Sequence, residues 1–486
     1  MLVRLSRNVY VRHFGGFTYV LNRLDSSDMV FKDAELFFKW LTREPSDETE
    51  VVRNICDEYD ESDDVKDGIA NDVKDFLEAL ELSGCIVRGE SRENLDSRDK
   101  MFSYDDGNPS TLNLKHGWER FGENLPATIL ENYYKENPAL FSLQIEITEA
   151  CTERCLHCYI PDYNPVFMPF AIFEKIVNEF RAQGGIQISL SGGECMLHPE
   201  FSKFIRCITD NDMIATVLSN LTLCDQEKLE LLKSSGASVQ VSLYSMNPYT
   251  HDWITRRKGS FEATIGCIRK LRENNIPCCI SCPTMKQNCD DYIDVLEFAK
   301  GMNMDAQTDF IIMAKRNCEN DNLSCRMTLE QTRHVIEDIV TKSLPVNEEY
   351  FSRGKKSLLQ TDEEWETASV CGGGVSVLSV DAHGDYHPCP ALGGIVLGNC
   401  YKHTLEWVLK RSPETKRIRA IRGRHFKKCV HCVDRDYCCV CMCRNYNETG
   451  DLFTPAQHFC DVAKINHEVV DEFQKKQELL TTGIRN

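Results

Sequence analysis

Cys151, Cys155 and Cys158 stand in the run CTERCLHC, three thiols within eight residues. Thiolates at that spacing can hold three corners of an iron–sulfur cubane and leave the fourth iron open to chelate a small molecule. Ten further cysteines lie from Cys371 to Cys460, among them Cys389, Cys429, Cys432, Cys438, Cys439, Cys441 and Cys443. The chain has 25 cysteines in 486 residues, too long a polypeptide to need disulfide staples. Its start, MLVRLSRNVYVRHFGG, has no apolar stretch before a cleavage site, and no run of eighteen apolar residues follows. A cytoplasmic protein with reduced thiols is expected, so clustered cysteines point to metal or iron–sulfur ligation. Cys56, Cys85, Cys207, Cys267, Cys278 and Cys279 stand apart from the clusters and read as small core hydrophobes.

The elements around the first cysteine loop alternate. Strands are predicted at 143–148, 186–190, 213–219, 239–244, 276–282 and 304–313, with helices at 169–182, 199–209, 225–234, 260–273 and 290–300. Six such units imply an α/β fold, a partial (β/α)6 TIM-like barrel, with function on loops at the C-terminal strand ends. The cysteine loop follows the first strand and Ser191-Gly192-Gly193-Glu194 ends the second. Two glycines permit close backbone approach, and the carboxylate beside them can take an amine. Ser219 and Asn220 end the third strand, Ser242 the fourth, and Gln307 and Asp309 lie on the sixth. A zinc reading of the three cysteines, with His157 as fourth ligand, leaves the glycine segment and the repeated units unexplained.

The CxxxCxxC spacing with the GGE segment in register behind it resembles the radical S-adenosylmethionine (SAM) enzymes. The resemblance implies that Cys151, Cys155 and Cys158 carry a catalytic 4Fe-4S cluster whose open iron binds SAM and splits it to a 5′-deoxyadenosyl radical. It further implies that Gly192, Gly193 and Glu194 meet the methionyl amine and that His157 lies against the adenine. Ser219 and Asn220 would reach the ribose, and Ser242 with Arg256 or Arg257 the carboxylate, with Arg256 preferred.

The later cysteines resemble the SPASM extension, which holds two auxiliary 4Fe-4S clusters. Cys371, twelve residues, Gly384, four residues and Cys389 fit its first half, and Cys429, Cys432 and Cys438 the next block. The pattern then departs, because the position four beyond Cys438 is Met442. Cys438 therefore competes with Cys439, and Cys441 with Cys443. By resemblance Cys429, Cys432, a central cysteine and Cys460 hold an outer cluster, and Cys371, Cys389 and a later central cysteine an inner one. The inner set lacks an upstream fourth cysteine, so that site either stays open to a substrate thiolate or takes a surplus cysteine. Sulfatase-maturing relatives place an aspartate base after the cysteine matching Cys389, but here Pro390 stands there. Asp381, His383, Asp385 and His387 are the nearby candidates to replace it.

At the N-terminus a hairpin is predicted across Gly15 and Gly16, then helices at 34–41, 48–59 and 64–82 and a strand at 85–87. FGGFTYVLNR and DVKDFLEALELSG resemble the winged-helix-like, PqqD-like element that captures leader peptides by adding a strand. The groove would lie near 28–31 and the 73–80 helix. From 45 to 83 there are 14 acidic and 3 basic residues, and the chain's net charge is −19. Both argue against a nucleic-acid or anionic-membrane partner. The basic stretch 410–428 is read as a solvated helix or a face toward the chain's own acidic N-terminal module, with a face toward an acidic peptide as the alternative.

Expected boundaries are 1–90 for leader recognition, 91–140 for a linker and bridging helix, 141–325 for the barrel, 326–370 for a connection and 371–486 for SPASM. Together these resemble maturases of ribosomally synthesised peptides. The resemblance implies a precursor peptide partner, an external donor such as flavodoxin or ferredoxin, and thioether formation from a peptide cysteine. Carbon–carbon crosslinking, or a non-enzymatic iron–sulfur scaffold, are the alternatives.

Overall fold

A computed structural model describes residues 1–32, 34–59, 63–106, 125–346 and 361–483. Contacts divide the described residues into two units, one up to residue 132 and one from residue 133 onward.

The N-terminal unit opens with β1 (Leu2–Leu5), β2 (Val9–Phe14), β3 (Phe17–Asn22) and β4 (Ser27–Lys32). The apolar alternation of VYVRHF and FTYVLN is turned by Gly15-Gly16, with Gly16 at φ +93° where a side chain would be strained. The expected hairpin is thus part of a three-stranded antiparallel meander, β2-β3-β4. Next come α1 (Glu35–Trp40), β5 (Ser46–Asp47), α2 (Glu48–Asp57), α3 (Asp63–Leu82) and β6 (Ile86–Gly89). A second small sheet, β5-β1-β6, closes against the helices. Val20, Phe38, Ile55, Val73, Leu77 and Leu80 are in one buried core. The polar stretch taken as linker is ordered through residue 106. Ser91 caps α4 (Arg92–Arg98), Leu95 is buried, and Asp99 accepts from Arg4, Ser6 and the Arg7 backbone. Residues 107–124 of that stretch lie outside the described residues.

After α5 (Leu125–Glu136) the barrel strands begin, and their order follows the chain. They are β7 (Ser142–Glu146), β8 (Gln187–Ser191), β9 (Ile214–Leu218), β10 (Ser238–Ser242), β11 (Cys278–Pro283) and β12 (Asp305–Asp309), all parallel. Helices α6 (Phe170–Ala182), α7 (Phe201–Asp210), α8 (Gln226–Ser235), α9 (Pro248–Thr255), α10 (Ser260–Glu273) and α11 (Tyr292–Gly301) connect them. Strand β12 stops at 309 rather than 313, where the Asp309 carboxylate accepts the Ile311 amide and turns the chain.

Helix α12 (Leu329–Lys342) starts at a Thr328/Gln331 capping box, and α13 (Asp362–Thr367) precedes the last cysteines. Residues 347–360 of the connection lie outside the described residues. Among the described residues, the C-terminal strands join the barrel sheet. Strand β13 (Val377–Val380) pairs in parallel with β7, and β14 (Asp385–His387) and β15 (Gly398–Asn399) continue antiparallel, giving nine strands in one mixed sheet. The radical SAM-type partial barrel is therefore extended at its first strand, which brings the 371–389 stretch beside the first cysteine loop. Helices α14 (Leu405–Lys410), α15 (Pro413–Arg419), α16 (Met442–Thr449) and α17 (Gln457–Gly483) complete the chain.

Candidate functional site

The loop after β7 carries Cys151, Cys155 and Cys158 with half-buried thiols. It is drawn against the end of β8 by two glycines. A Cβ on Gly192 would lie 2.1 Å from the Thr148 carbonyl oxygen, and one on Gly193 2.4 Å from that of Ala150. Only glycine allows these approaches, and Gly193 and Glu194 donate their amides to Thr148 and Ala150. Burial pushes the Cys151 thiol up to about 12 and raises Cys155 and Cys158 as well. Three thiolates in such a place require a cation among them.

Glu194 is buried and fixed. Its Oε1 accepts from the Ser219 hydroxyl (2.8 Å) and the Met196 amide (2.9 Å), and its Oε2 from the Asn220 amide (2.9 Å). Asn220 Nδ2 in turn donates to Thr152 Oγ1 at 3.0 Å, tying this cradle to the cysteine loop. The two candidate arginines separate. Arg256 caps α9 in a left-handed conformation (φ 55°) and is exposed, whereas Arg257 donates to Thr222 Oγ1 at 2.9 Å. Arg257 also helps to stabilise the carboxylates of Glu194 and Glu153. The helix cap turns Arg256, the arginine expected at the carboxylate, outward and Arg257 inward. Ser242 lies within reach of the Tyr244 phenol, which donates to Cys155 Sγ at 3.7 Å and meets the His157 ring edge-on.

The pieces fit an iron–sulfur group with a small ligand beside it. Besides the thiols and the glycine cradle, His157 Nδ1 and Glu153 Oε1 are buried polar atoms without a hydrogen-bond partner. Burial holds His157 down at about 4 and pushes Glu153 up to about 7.

The later thiols sort into two groups. Cys438 interacts with Cys429 and Cys460, and Cys432 acts on both of these. Cys443 contacts both Cys389 and Cys441. Cys441 is the N-cap of α16, and a bond from Cys443, the Arg444 cation and backbone amides pull its thiol down to about 6. A Cβ placed on Gly373 would lie 3.4 Å from Cys371 Sγ and 3.0 Å from the carbonyl oxygen of Pro388, the residue before Cys389. Cys441 and Cys443 are therefore not alternatives in space. Among the described residues, no three His, Cys, Asp or Glu side chains close around a point as a single metal ion needs.

Between the first loop and the Cys371–Cys389 stretch lies a charged network that sequence reasoning missed. Arg316 Nη1 bonds buried Glu146 at 2.7 Å, and its Nη2 is 3.5 Å from Glu149. His383 Nε2 is 3.2 Å from Glu149. The other candidate bases are engaged in the fold. His387 bonds Asp381 (3.2 Å) and the Ile395 carbonyl (2.9 Å), and Asp385 holds Asn399. Nothing near Arg316 in sequence signals this role, whereas Glu149 and Tyr244, at the ends of β7 and β10, were open to suspicion by position. In the basic stretch Lys410 pairs with Glu406 and Arg417 with Glu414, Arg419 reaches the Val375 and Tyr134 carbonyls, and Arg411, Lys416, Arg424, Lys427 and Lys428 are exposed. The six cysteines read as core residues are all buried.

Residues 145–299 match the model of the Radical SAM superfamily, and residues 371–433 match an iron–sulfur cluster-binding domain, SPASM. The antilisterial bacteriocin subtilosin biosynthesis protein AlbA of Bacillus subtilis is 24% identical over 337 residues, 66% of this chain and 71% of AlbA. The sporulation killing factor maturation protein SkfB of the same organism is 31% identical over 159 residues, 32% of this chain and 38% of SkfB. Among solved structures, Streptococcus suis SuiB bound to its precursor peptide SuiA superposes with a TM-score of 0.59 at 15% identity, covering 93% of this chain and 98% of SuiB. The likeness shows a common fold. The chain carries a radical SAM catalytic domain and a SPASM iron–sulfur domain, and it is an enzyme of the radical SAM oxidoreductase type.

Proposed function

We propose that this enzyme matures a ribosomally synthesised precursor peptide, closing an intramolecular thioether from a peptide cysteine. The observation that carries the reading is the edge of the N-terminal meander. Strand β4 pairs with β3 on one side only among the described residues. Beside it, Phe31 and Phe37 meet Phe76 of α3 at ring distances of 5.2 and 4.9 Å. An open strand edge beside an aromatic helix face suits an added peptide strand, with backbone bonds giving affinity and side-chain pockets giving register. AlbA and SkfB, named for peptide products, and the peptide-bound SuiB point the same way.

In this reading Cys151, Cys155 and Cys158 hold one cluster. Gly192, Gly193, Glu194, Ser219, Asn220, Ser242 and Arg257 hold SAM, with His157 by the adenine. Cys429, Cys432, Cys438 and Cys460 hold the outer auxiliary cluster, and Cys371, Cys389, Cys441 and Cys443 the inner one. When bound, these groups supply one-electron chemistry: reductive scission of the sulfonium to a 5′-deoxyadenosyl radical at the first, and electron acceptance at the others. The chain's part is to bind, orient and exclude water. Docking at β4 raises the local concentration of the core peptide. The balance of thioether closure is one hydrogen atom from carbon, one proton from the thiol and one electron to an acceptor, so the peptide loses two hydrogens.

Four thiols in the inner group leave no vacancy for a substrate thiolate. That favours, as a second reading, carbon–carbon closure with the same loss of two hydrogens. Co-expression with a candidate cysteine-containing precursor peptide decides between them. Loss of about 2 Da together with loss of one alkylatable cysteine supports the thioether, and the same mass loss with every cysteine still alkylatable overturns it. An unchanged peptide beside active SAM cleavage overturns both.

A further inference from the structure

We propose that Cys224 and Cys267 form a reversible disulfide site, an oxidisable thiol pair whose closure distorts the SAM cradle. Cys224 is half-buried in the turn between β9 and α8, and Cys267, 5% exposed, lies in the middle of α10. The Cys267 thiol donates to Cys224 Sγ. That bond pulls the Cys224 thiol below its usual range and pushes the Cys267 thiol up. The first is therefore the nucleophile, and the second waits beside it. Neither belongs to the cysteine groups assigned to clusters. Among the described residues, no third His, Cys, Asp or Glu closes on the pair to make a metal site. The thiol of Cys278, on β11, bonds the Cys279 carbonyl instead.

Both cysteines are tied to the loop after β9. The Cys224 amide donates to the carbonyl of Leu221 (3.1 Å), a buried residue in the left-handed region (φ 62°), so the turn has little slack. Two residues before Cys224, Thr222 Oγ1 accepts from Arg257 (2.9 Å) and donates to Asn220 Oδ1 (2.8 Å). On α10, one turn before Cys267, the Thr264 hydroxyl donates to the Asn220 carbonyl (2.9 Å). An S–S bond is about 2 Å long, shorter than any thiol–thiol hydrogen bond. Closure therefore draws the turn toward α10 and takes Thr222 off Arg257. The oxidant is a small-molecule disulfide such as oxidised glutathione. The Cys224 thiolate attacks one of its sulfurs and releases a glutathione thiolate; Cys267, deprotonated, then attacks Cys224 Sγ and releases the second. The two cysteine protons end on the two glutathiones, and two electrons pass from the cysteines to glutathione. The disulfide stands by itself; its effect on SAM rests on the reading of Glu194, Ser219 and Asn220 as the cradle.

In the test, the reconstituted parent, Cys224→Ser and Cys267→Ser are equilibrated anaerobically in glutathione buffers of rising oxidised fraction. Iodoacetamide trapping with peptide mapping locates the linked thiols, and calorimetry gives SAM affinity. The parent is expected to yield a Cys224–Cys267 linked peptide with its iron retained. Its SAM binding should weaken roughly fivefold, the scale of one lost hydrogen bond, and recover with dithiothreitol. Cys267→Ser should trap glutathione on Cys224, and Cys224→Ser should form no link and keep its SAM affinity within twofold throughout. No linked peptide in the fully oxidised buffer, or linkage of either thiol to Cys278 instead, would overturn the site. A linked parent that binds SAM as the reduced one does overturns the distortion of the cradle. A reduced parent that binds no SAM overturns the reading of the cradle, while the peptide map still decides the disulfide.

Discussion

The two cysteine regions reach their geometry by different routes. Cys151, Cys155 and Cys158 are placed by one loop, one strand end and two glycines of its neighbour, so local backbone sets the site. The later cysteines are gathered from the segments before β13 and after β14, the stretch between α15 and α16, the α16 N-terminus and the first turn of α17, so that site exists only after long-range packing. A locally built site shows in residue spacing and tolerates loss of distant parts; a gathered one does neither.

The sharpest way to break this contrast is to remove the loop thiols. The Cys151→Ala, Cys155→Ala, Cys158→Ala triple variant should lose all deoxyadenosine formation and about four irons per chain, while leader affinity measured by fluorescence anisotropy stays within twofold. Iron that stays at the parental level would show that these thiols hold no cluster.

Next come paired substitutions in the gathered region. Cys460→Ser should cost about four irons and lower the midpoint of thermal unfolding, whereas Cys439→Ser, at the thiol beside Cys438, should leave iron content unchanged. Equal losses would mean that Cys438 and Cys439 share the role.

A subtler effect is expected at Tyr244. Its hydroxyl donates to Cys155 Sγ, and a donor to a ligating sulfur stabilises the reduced, more negative state. Tyr244→Phe should move the potential of that cluster negative, on the order of 50 mV, in an EPR-monitored titration. No shift would show that this hydrogen bond is absent from the loaded enzyme.

The smallest effect tests the barrel apart from either cysteine region. Asp305 on β12 has an oxygen without a partner, and burial pushes its carboxyl up to about 6. Because the folded form holds the proton more tightly, the contribution to stability is present near pH 4 and lost as pH rises through 6. Asp305→Asn should therefore melt higher than the parent at pH 8, on the order of 1–2 kcal/mol and roughly 3 °C, and match it near pH 4. Parallel melting curves at both pH values would refute the assignment.

What sequence made legible follows the same division. The CTERCLHC spacing, the glycine pair and the six strand–helix repeats are short-range patterns, and the structure places the strands within a few residues of expectation. The continuation of the barrel sheet by β13–β15 was invisible, since a parallel pairing between residues 142–145 and 377–380 leaves no local trace. The opposite facing of Arg256 and Arg257 depends on a left-handed helix cap rather than on composition. Order in 88–106 was hidden because it rests on a few residues in a mostly exposed polar stretch: Ser91 caps α4 and buried Asp99 binds Arg4. The Glu146–Arg316–Glu149–His383 network joins residues far apart in the chain, and charge alone never suggests such burial.

Helix α17 packs along α12, pinned where Arg333 meets Glu468, and carries Cys460 in its opening turn. That thiol leaves the ribosome after every other member of its group, and it gains its address only when the two helices have docked. If this group holds the outer cluster as proposed, metal delivery is postponed until this clasp has shut. A cell starved of iron should then accumulate chains whose barrel and terminal helix are both folded while the outer thiols stay reactive toward alkylating agents.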